Sequence, residues 1–173
     1  MLTLLELAAP RLVPGMTAVP MGMLALVLGL VHLARLSGWG GHHTLGHPLV
    51  WIMHLGYLWL ALALILKGGG YLGAFIPAAA ARHAVAMGAV GTMIMAIMPR
   101  VCLGHTGRAL ILPRLMLAAY ALMFAAPILR VVSPFLDGDA YQATLLGSGL
   151  CWALAFGIFV WCFTPMLWSA RAD

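Results

Sequence analysis

Histidine is the residue type in this sequence best suited to chemistry inside a membrane. His32, His54 and His83 lie within long apolar runs, and His105 follows one of them closely. Ionisable residues are costly in a bilayer and usually mark functional sites there, and a neutral imidazole can ligate a metal or relay a proton. Any one of them could instead pack in a helix bundle with a hydrogen bond across it. As a group, they favour a shared ligand-binding or proton-carrying role.

The other histidines have a different setting. His42, His43 and His47 follow the glycine-rich break at residues 38–41, and we expect solvated loop residues there. Aromatic residues flank His54 in the sequence, and they are Trp39, Trp51, Tyr57 and Trp59. They fit the aromatic belt of a membrane interface, but they could also line a haem crevice.

A stripe of soft side chains runs along the third apolar segment. Spacings of four and three place its members on one face of a helix, and they are His83, Met87, Gly91, Met95, Met98 and Cys102. Methionine and cysteine suit Cu(I), but methionine also fills gaps in cores, and packing is the favoured interpretation. Beside the stripe, Ala84, Gly88 and Thr92 form a small-residue face suited to close helix packing.

A polar turn, Gly-His-Thr-Gly-Arg at residues 104–108, follows this segment. His105 could ligate a metal, and Arg100 and Arg108 carry planar guanidinium groups that match carboxylates such as haem propionates. A positively charged cytoplasmic loop without any ligand explains the same residues. The sequence leaves both interpretations open.

The composition requires these residues to be positioned by membrane helices. The chain is 64% hydrophobic and 8% charged, whereas soluble domains carry about a quarter charged residues. Its apolar runs predict an all-α, polytopic transmembrane helical bundle, since they do not alternate like barrel strands. We predict about five spans, at residues 16–36, 48–66, 78–98, 112–132 and 143–163. The bundle covers 16–168, after an interfacial or remnant segment at 1–15 and before a tail at 169–173.

The distribution of Lys and Arg predicts the orientation. The loop after the third span carries Arg100, Arg108 and Arg114, whereas the loop after the fourth carries Asp137 and Asp139. We therefore place the former in the cytoplasm, which puts the N-terminus outside and the C-terminus inside.

Several classes of function are disfavoured. The net charge of +5 is spread over the edges of apolar runs, not clustered on a solvated face as in nucleic-acid-binding proteins. The three cysteines form neither a CxxC motif nor an even framework, which argues against a disulfide scaffold or a structural zinc site. No GxSxG, P-loop or HExxH signature is present, and whether the chain is an enzyme stays open.

The central stretch RHAVAMGAVGTMIMAIMPRVCLGHTGRAL, residues 82–110, strongly resembles the NnrS family of bacterial membrane proteins. Residues 32–39, 48–66, 119–134 and 152–167 are similar too. The resemblance is to the C-terminal portion of the family, so the chain could be a short homologue, a split subunit or a fragment. Family members often have Thr-Arg where this chain has Pro99-Arg100.

The resemblance implies a multi-pass protein of the bacterial inner membrane that binds haem and copper and serves nitric oxide metabolism or protection against nitrosative stress. We expect a b-type haem and leave copper open. Expected partners are nitric oxide or a related small molecule, the lipid bilayer, and a second copy or another membrane subunit, because Ala84, Gly88 and Thr92 offer a packing face. The alternatives are a transporter or a proton- or metal-conducting module, and a non-catalytic assembly subunit.

The motif positions carried over by the resemblance are His32, His54, His83, His105 and Arg108. Within them we infer that His54 is the axial haem ligand, opposite His105 or His32, because His54 is the deepest histidine on the cytoplasmic side. A carbonyl at the glycine-rich end of the first span would accept its second N–H, and Arg100 and Arg108 would meet the propionates. In a continuous helix His83 is about 33 Å from His105, so His83 would serve another metal or a partner chain.

Overall fold

The computed structural model describes residues 18–172, and within them it is built from helices without any strand. Five helices are long and apolar enough to cross a membrane, which confirms the predicted fold class. Their bounds are α1 Ala18–Ser37, α2 Pro48–Tyr71, α3 Ala78–His105, α4 Met116–Val132 and α5 Gly138–Trp168. Short 3-10 helices occupy Gly41–Thr44 and Ser133–Phe135. The predicted segment at residues 1–15 lies outside the described residues.

Successive helices run up and down, and α3 lies at the centre. α1 packs on α2, α5 packs on α4, and α3 contacts α2, α4 and α5. In the apolar stretch of each helix, 44% of the residues are buried in α3, against 17% in α1 and in α5. The two outer helices therefore present most of their surface to lipid. One end of the bundle therefore gathers the α1–α2 loop, the α3–α4 loop and the residues after α5.

Glycines allow α1 and α2 to approach closely. A Cβ on Gly68 would lie 2.8 Å from the Gly22 carbonyl oxygen, and one on Gly29 would lie 2.7 Å from Ile65 Cγ1. For this reason α2 continues through Gly68-Gly69-Gly70 to Tyr71, and the prediction that it closes near Leu66 was wrong. Tertiary packing compensates the unfavourable helix propensity of glycine.

The third span was predicted to end at residue 98, before Pro99, and this was also wrong, since α3 runs on to His105 with Pro99 inside it. Pro99 is buried, and packing of the surrounding core offsets its missing hydrogen bond. The fifth span, predicted to end at residue 163, likewise continues through Pro165 and reaches Trp168.

The middle of α3 is a π-helix over Ala84–Gly91, flanked by α-helix on both sides. Two tryptophans from neighbouring helices lie against this segment. A Cβ on Gly88 would be 2.5 Å from Cδ2 of Trp59 in α2, and a Cβ on Gly91 would overlap the Trp152 ring of α5. The regular helical register assumed for the predicted methionine stripe therefore does not hold along the whole of α3.

Candidate functional site

The antiparallel pairing of α1 and α2 brings His32 to Tyr57. The Nδ1 atom of His32 lies 2.6 Å from the Tyr57 hydroxyl oxygen, and the two rings meet edge to face with centroids 5.3 Å apart. His32 and Tyr57 are both half-buried. A short hydrogen bond of this kind holds an imidazole in one orientation, and when Nδ1 donates to the phenol oxygen, Nε2 carries the lone pair that a ligand site needs.

His54 lies one turn before Tyr57 on α2, and its ring is fixed from its own helix. Its Nδ1 atom is 3.1 Å from the Val50 carbonyl oxygen. A carbonyl can only accept, so Nδ1 of His54 donates, and in the neutral ring Nε2 carries the lone pair. The ring N–H of His54 was expected to donate to a carbonyl at the end of the first span. That expectation was wrong, because the acceptor, Val50, belongs to the preceding turn of α2.

Trp39, just after α1, joins these two histidines into one group. Its ring lies 4.5 Å from the Tyr57 ring and 5.7 Å from the His54 ring, centroid to centroid. Gly41 lies over the His54 ring, since a Cβ added there would be 3.1 Å from Cδ2 of His54. We call His32, Trp39, His54 and Tyr57 the histidine–aromatic cluster.

Sequence reasoning placed Trp39 and Tyr57 near His54 but did not identify Tyr57 as the partner of His32. The signal available was the spacing of three between His54 and Tyr57, which puts both on one side of α2. Whether His32 of α1 lies on this side of α2 depends on how the two helices pack.

An apolar cleft of about 460 Å³ borders the cluster between α2 and α3. Tyr57 forms part of its wall, together with Leu60, Val90, Met93 and Ile97. Val90 and Ile97 are exposed on the outer surface of the bundle, so the cleft faces the region where lipid would lie. A small apolar molecule dissolved in a bilayer has a path of compatible polarity to Tyr57.

The other two candidate histidines lie elsewhere. His105 is the last residue of α3 and is exposed, whereas His83 is half-buried near the opposite end of the same helix. Across residues 18–172 no group of three or more His, Cys, Asp or Glu side chains could hold a metal ion. The structure thus brings His32 and His54 into one cluster and leaves His83 apart, as predicted for His83. His42, His43 and His47 are exposed, in agreement with solvated loop residues.

The two arginines expected to meet propionates contact the protein itself. Arg108 donates from Nη2 to the Ser169 hydroxyl at 2.7 Å and from Nη1 to the Met166 carbonyl at 3.4 Å. Arg100 donates from Nη1 to the Leu49 carbonyl at 3.2 Å. Arg108 therefore ties the turn after α3 to the end of α5, and its role towards a haem stays a prediction.

The methionine stripe packs in the core. Met95 is fully buried and Cys102 nearly so, in one cluster with residues of α2, α4 and α5. The Met87 sulfur lies 4.0 Å from the Ser148 hydroxyl oxygen of α5, and that hydroxyl donates to the Ala126 carbonyl at 2.8 Å. These contacts agree with the packing interpretation of the stripe.

The small-residue face of α3 is covered within the chain. Ala84, Gly88 and Thr92 are all buried, and Trp59 of α2 lies on Gly88. The expectation that this face is free to bind a second copy was wrong, because a neighbouring helix already occupies it. Association with another subunit stays a prediction without this support.

A family model described as NnrS protein matches residues 1–171. No curated protein matches the chain, and no solved structure matches it.

Proposed function

Because the chain belongs to the NnrS family, we propose that it is a haem-binding, multi-pass protein of the bacterial inner membrane that acts in nitric oxide metabolism or in protection against nitrosative stress. Membership of the family fits a membrane protein in the nitric oxide response. The haem, the location in the inner membrane and the chemistry with nitric oxide are proposed beyond what family membership fits.

The histidine–aromatic cluster is the observation that supports the haem proposal. Haem iron takes one or two side chains as axial ligands, so it does not need the cluster of three or more donors that residues 18–172 lack. His32 and His54 each have Nδ1 engaged, by Tyr57 and by Val50, and each has Nε2 remaining. This donor set fits a haem: His54 would hold the iron through Nε2, and His32 is the candidate for a second ligand.

The surrounding residues would do three things for such a group. The Val50 carbonyl would hold the proton on Nδ1 of His54 and keep Nε2 basic. Tyr57 would set the orientation of His32, and Trp39 would cover part of the His54 and Tyr57 rings. The apolar cleft would admit a neutral molecule from the lipid side. Haem iron, when bound, would supply strong affinity for nitric oxide.

A second candidate function rests on the His32–Tyr57 contact. A distance of 2.6 Å between Nδ1 and the phenol oxygen suits proton transfer as well as ligand orientation, so the cluster could serve a proton- or metal-conducting module. Copper has less support, because Met95 and Cys102 of the methionine stripe lie in the packed core. A purely structural assembly subunit would need neither proton transfer nor ligand orientation by this contact.

The absorption spectrum of the purified protein separates these functions. The haem proposal predicts a Soret band, dithionite-sensitive visible bands, and a shift of the Soret band when nitric oxide is added to the reduced protein. Protein without haem but with bound metal, or with proton flux in proteoliposomes, would support the conducting module. If growth with added haem precursor and in vitro haem titration both give a colourless folded protein, the haem proposal is wrong.

A further inference from the structure

Arg35 lies in the last turn of α1, directly beside the histidine–aromatic cluster. Its Cζ atom lies over the Trp39 ring, 6.0 Å from the ring centroid, and that ring packs against those of His54 and Tyr57. Arg35 also follows His32 by three residues, a spacing that puts both side chains on the same side of α1. Contacts seen in the structure therefore connect its positive charge to the candidate ligand histidines.

The guanidinium of Arg35 can offer its N–H groups to a ligand. Arg35 is exposed and donates no hydrogen bond to any other residue that the structure describes. A cation–π contact uses the flat face of a guanidinium, whereas its five N–H donors point outward in the plane of the group. The contact with Trp39 thus orients the guanidinium and leaves open the edge that binds carboxylates.

The other arginines considered for this role make hydrogen bonds within the protein. Arg100 donates to a carbonyl of α2, and Arg108 donates to the end of α5. No carboxylate of residues 18–172 lies near Arg35, because Asp137 and Asp139 are at the start of α5, the opposite end of the bundle. A positive charge at the end of a span can also serve membrane orientation alone, and a test has to separate that role from ligand binding.

We propose that Arg35 binds a carboxylate of the group that the histidine–aromatic cluster holds, which in the proposed function is a haem propionate. This role of Arg35 rests on the proposed function and names the residue that recognises the acidic edge of the haem. His32 and His54 offer ring nitrogens for the iron, and Arg35 lies nearer the end of α1, where Trp39 is 43% exposed. The carboxylate is thus held where the cluster meets water.

Haem dimethyl ester, in which both propionates are esterified, tests this contact against haem itself. Each porphyrin is titrated into the purified full chain in mild detergent, followed at the Soret band and corrected for its measured partition into the detergent. The unaltered chain should bind haem about tenfold more tightly than the ester, as one hydrogen bond to a charged group would give. Arg35→Gln should remove this preference, because the carboxylate then meets no positive charge.

The matched control is Arg114→Gln, an exposed position at the same end of the bundle, and it should keep the preference for haem. Because the preference is a ratio of two affinities of one variant, a fraction of unfolded material does not change it. An unchanged preference in Arg35→Gln overturns the role of Arg35, and so does its loss in Arg108→Gln alone.

The unaltered chain gives a decisive result even if a variant does not fold. If it binds both porphyrins with equal affinity, the role of Arg35 is wrong and the haem proposal stands. If it binds neither porphyrin, the haem proposal is wrong and the role of Arg35 falls with it.

Discussion

His54 owes its suitability as a ligand to one hydrogen bond. The Val50 carbonyl accepts a hydrogen bond from its Nδ1 atom at 3.1 Å, which leaves Nε2 with the lone pair that a metal would need. His83 has the same kind of ring, but its ring nitrogens make no hydrogen bond of this kind to any described residue, and it lies at the far end of α3. Whether either histidine binds iron is a question for substitution.

His54→Ala is expected to lose most of the haem per folded protein, whereas His83→Ala should keep it, because only His54 belongs to the histidine–aromatic cluster. Haem is measured by pyridine haemochrome against protein concentration, after size-exclusion chromatography has removed unfolded material. His47→Ala, at an exposed position before α2, is the matched control. Full occupancy in His54→Ala refutes the ligand assignment, and loss confined to His83→Ala moves the site to the other end of the bundle.

Tyr57→Phe isolates the effect of one hydroxyl, since the ring and its contact with Trp39 remain. Without the 2.6 Å contact, His32 loses its orienting partner, and removal of such a group weakens metal affinity about tenfold or more. Haem titration of the purified variant, with Tyr141→Phe as the control, should show this weakening. Equal affinity in Tyr57→Phe and the unaltered chain would leave Tyr57 as a packing residue.

At the scale of the element, α3 combines an irregular backbone with dense packing. Its π-helix covers Ala84–Gly91, and Trp59 and Trp152 lie against Gly88 and Gly91 within that segment. π-helical turns inside α-helices often occur at functional sites. Here the segment also lines the apolar cleft through Ala89 and Val90, so its geometry shapes the path to Tyr57.

Gly88→Ala should destabilise the bundle by about 1–3 kcal/mol, the usual cost of overpacking a core. The reason is that the new Cβ would be 2.5 Å from Cδ2 of Trp59. The fitting control is Gly157→Ala on α5, where nothing lies within 4 Å of an added Cβ and stability should not fall. Thermal unfolding followed by circular dichroism in mild detergent measures both. Equal melting temperatures for the two variants would contradict the close contact.

For the whole molecule, the up-and-down topology puts the α1–α2 loop and the start of α5 at opposite ends. The arginine distribution predicts that the former end is cytoplasmic. Gly46 has open space around it and Asp139 is exposed, which makes both suitable for substitution by cysteine.

In a variant without the native cysteines, Gly46→Cys should react with an impermeant maleimide only after the membrane is opened, and Asp139→Cys should react in intact cells. The reverse pattern would invert the predicted orientation but leave the fold unchanged. Labelling of both positions in intact cells would contradict the antiparallel arrangement of α1, α2 and α5.

Much of the architecture follows from the sequence alone. Composition and the length of the apolar runs determine a helical membrane-type bundle, because few residues are polar enough to face water and only long helices pair their own backbone groups in lipid. The histidines also stand out by themselves, since an ionisable residue in an apolar run is rare. The central stretch at residues 82–110 was sufficient to identify the family, which the match over residues 1–171 confirms.

Tertiary packing decided the rest. The helices continue through Gly68-Gly69-Gly70, Pro99 and Pro165 against local propensity, because close contacts between helices compensate a glycine or proline that would end an isolated helix. The partner of His32 and the cover over Gly88 depend on which helix faces which, and periodicity within one helix carries no information on that. The unpaired hydroxyl of Tyr120 has the same origin: in the sequence it is one more aromatic residue in an apolar run, and only the packing of the helices buries it.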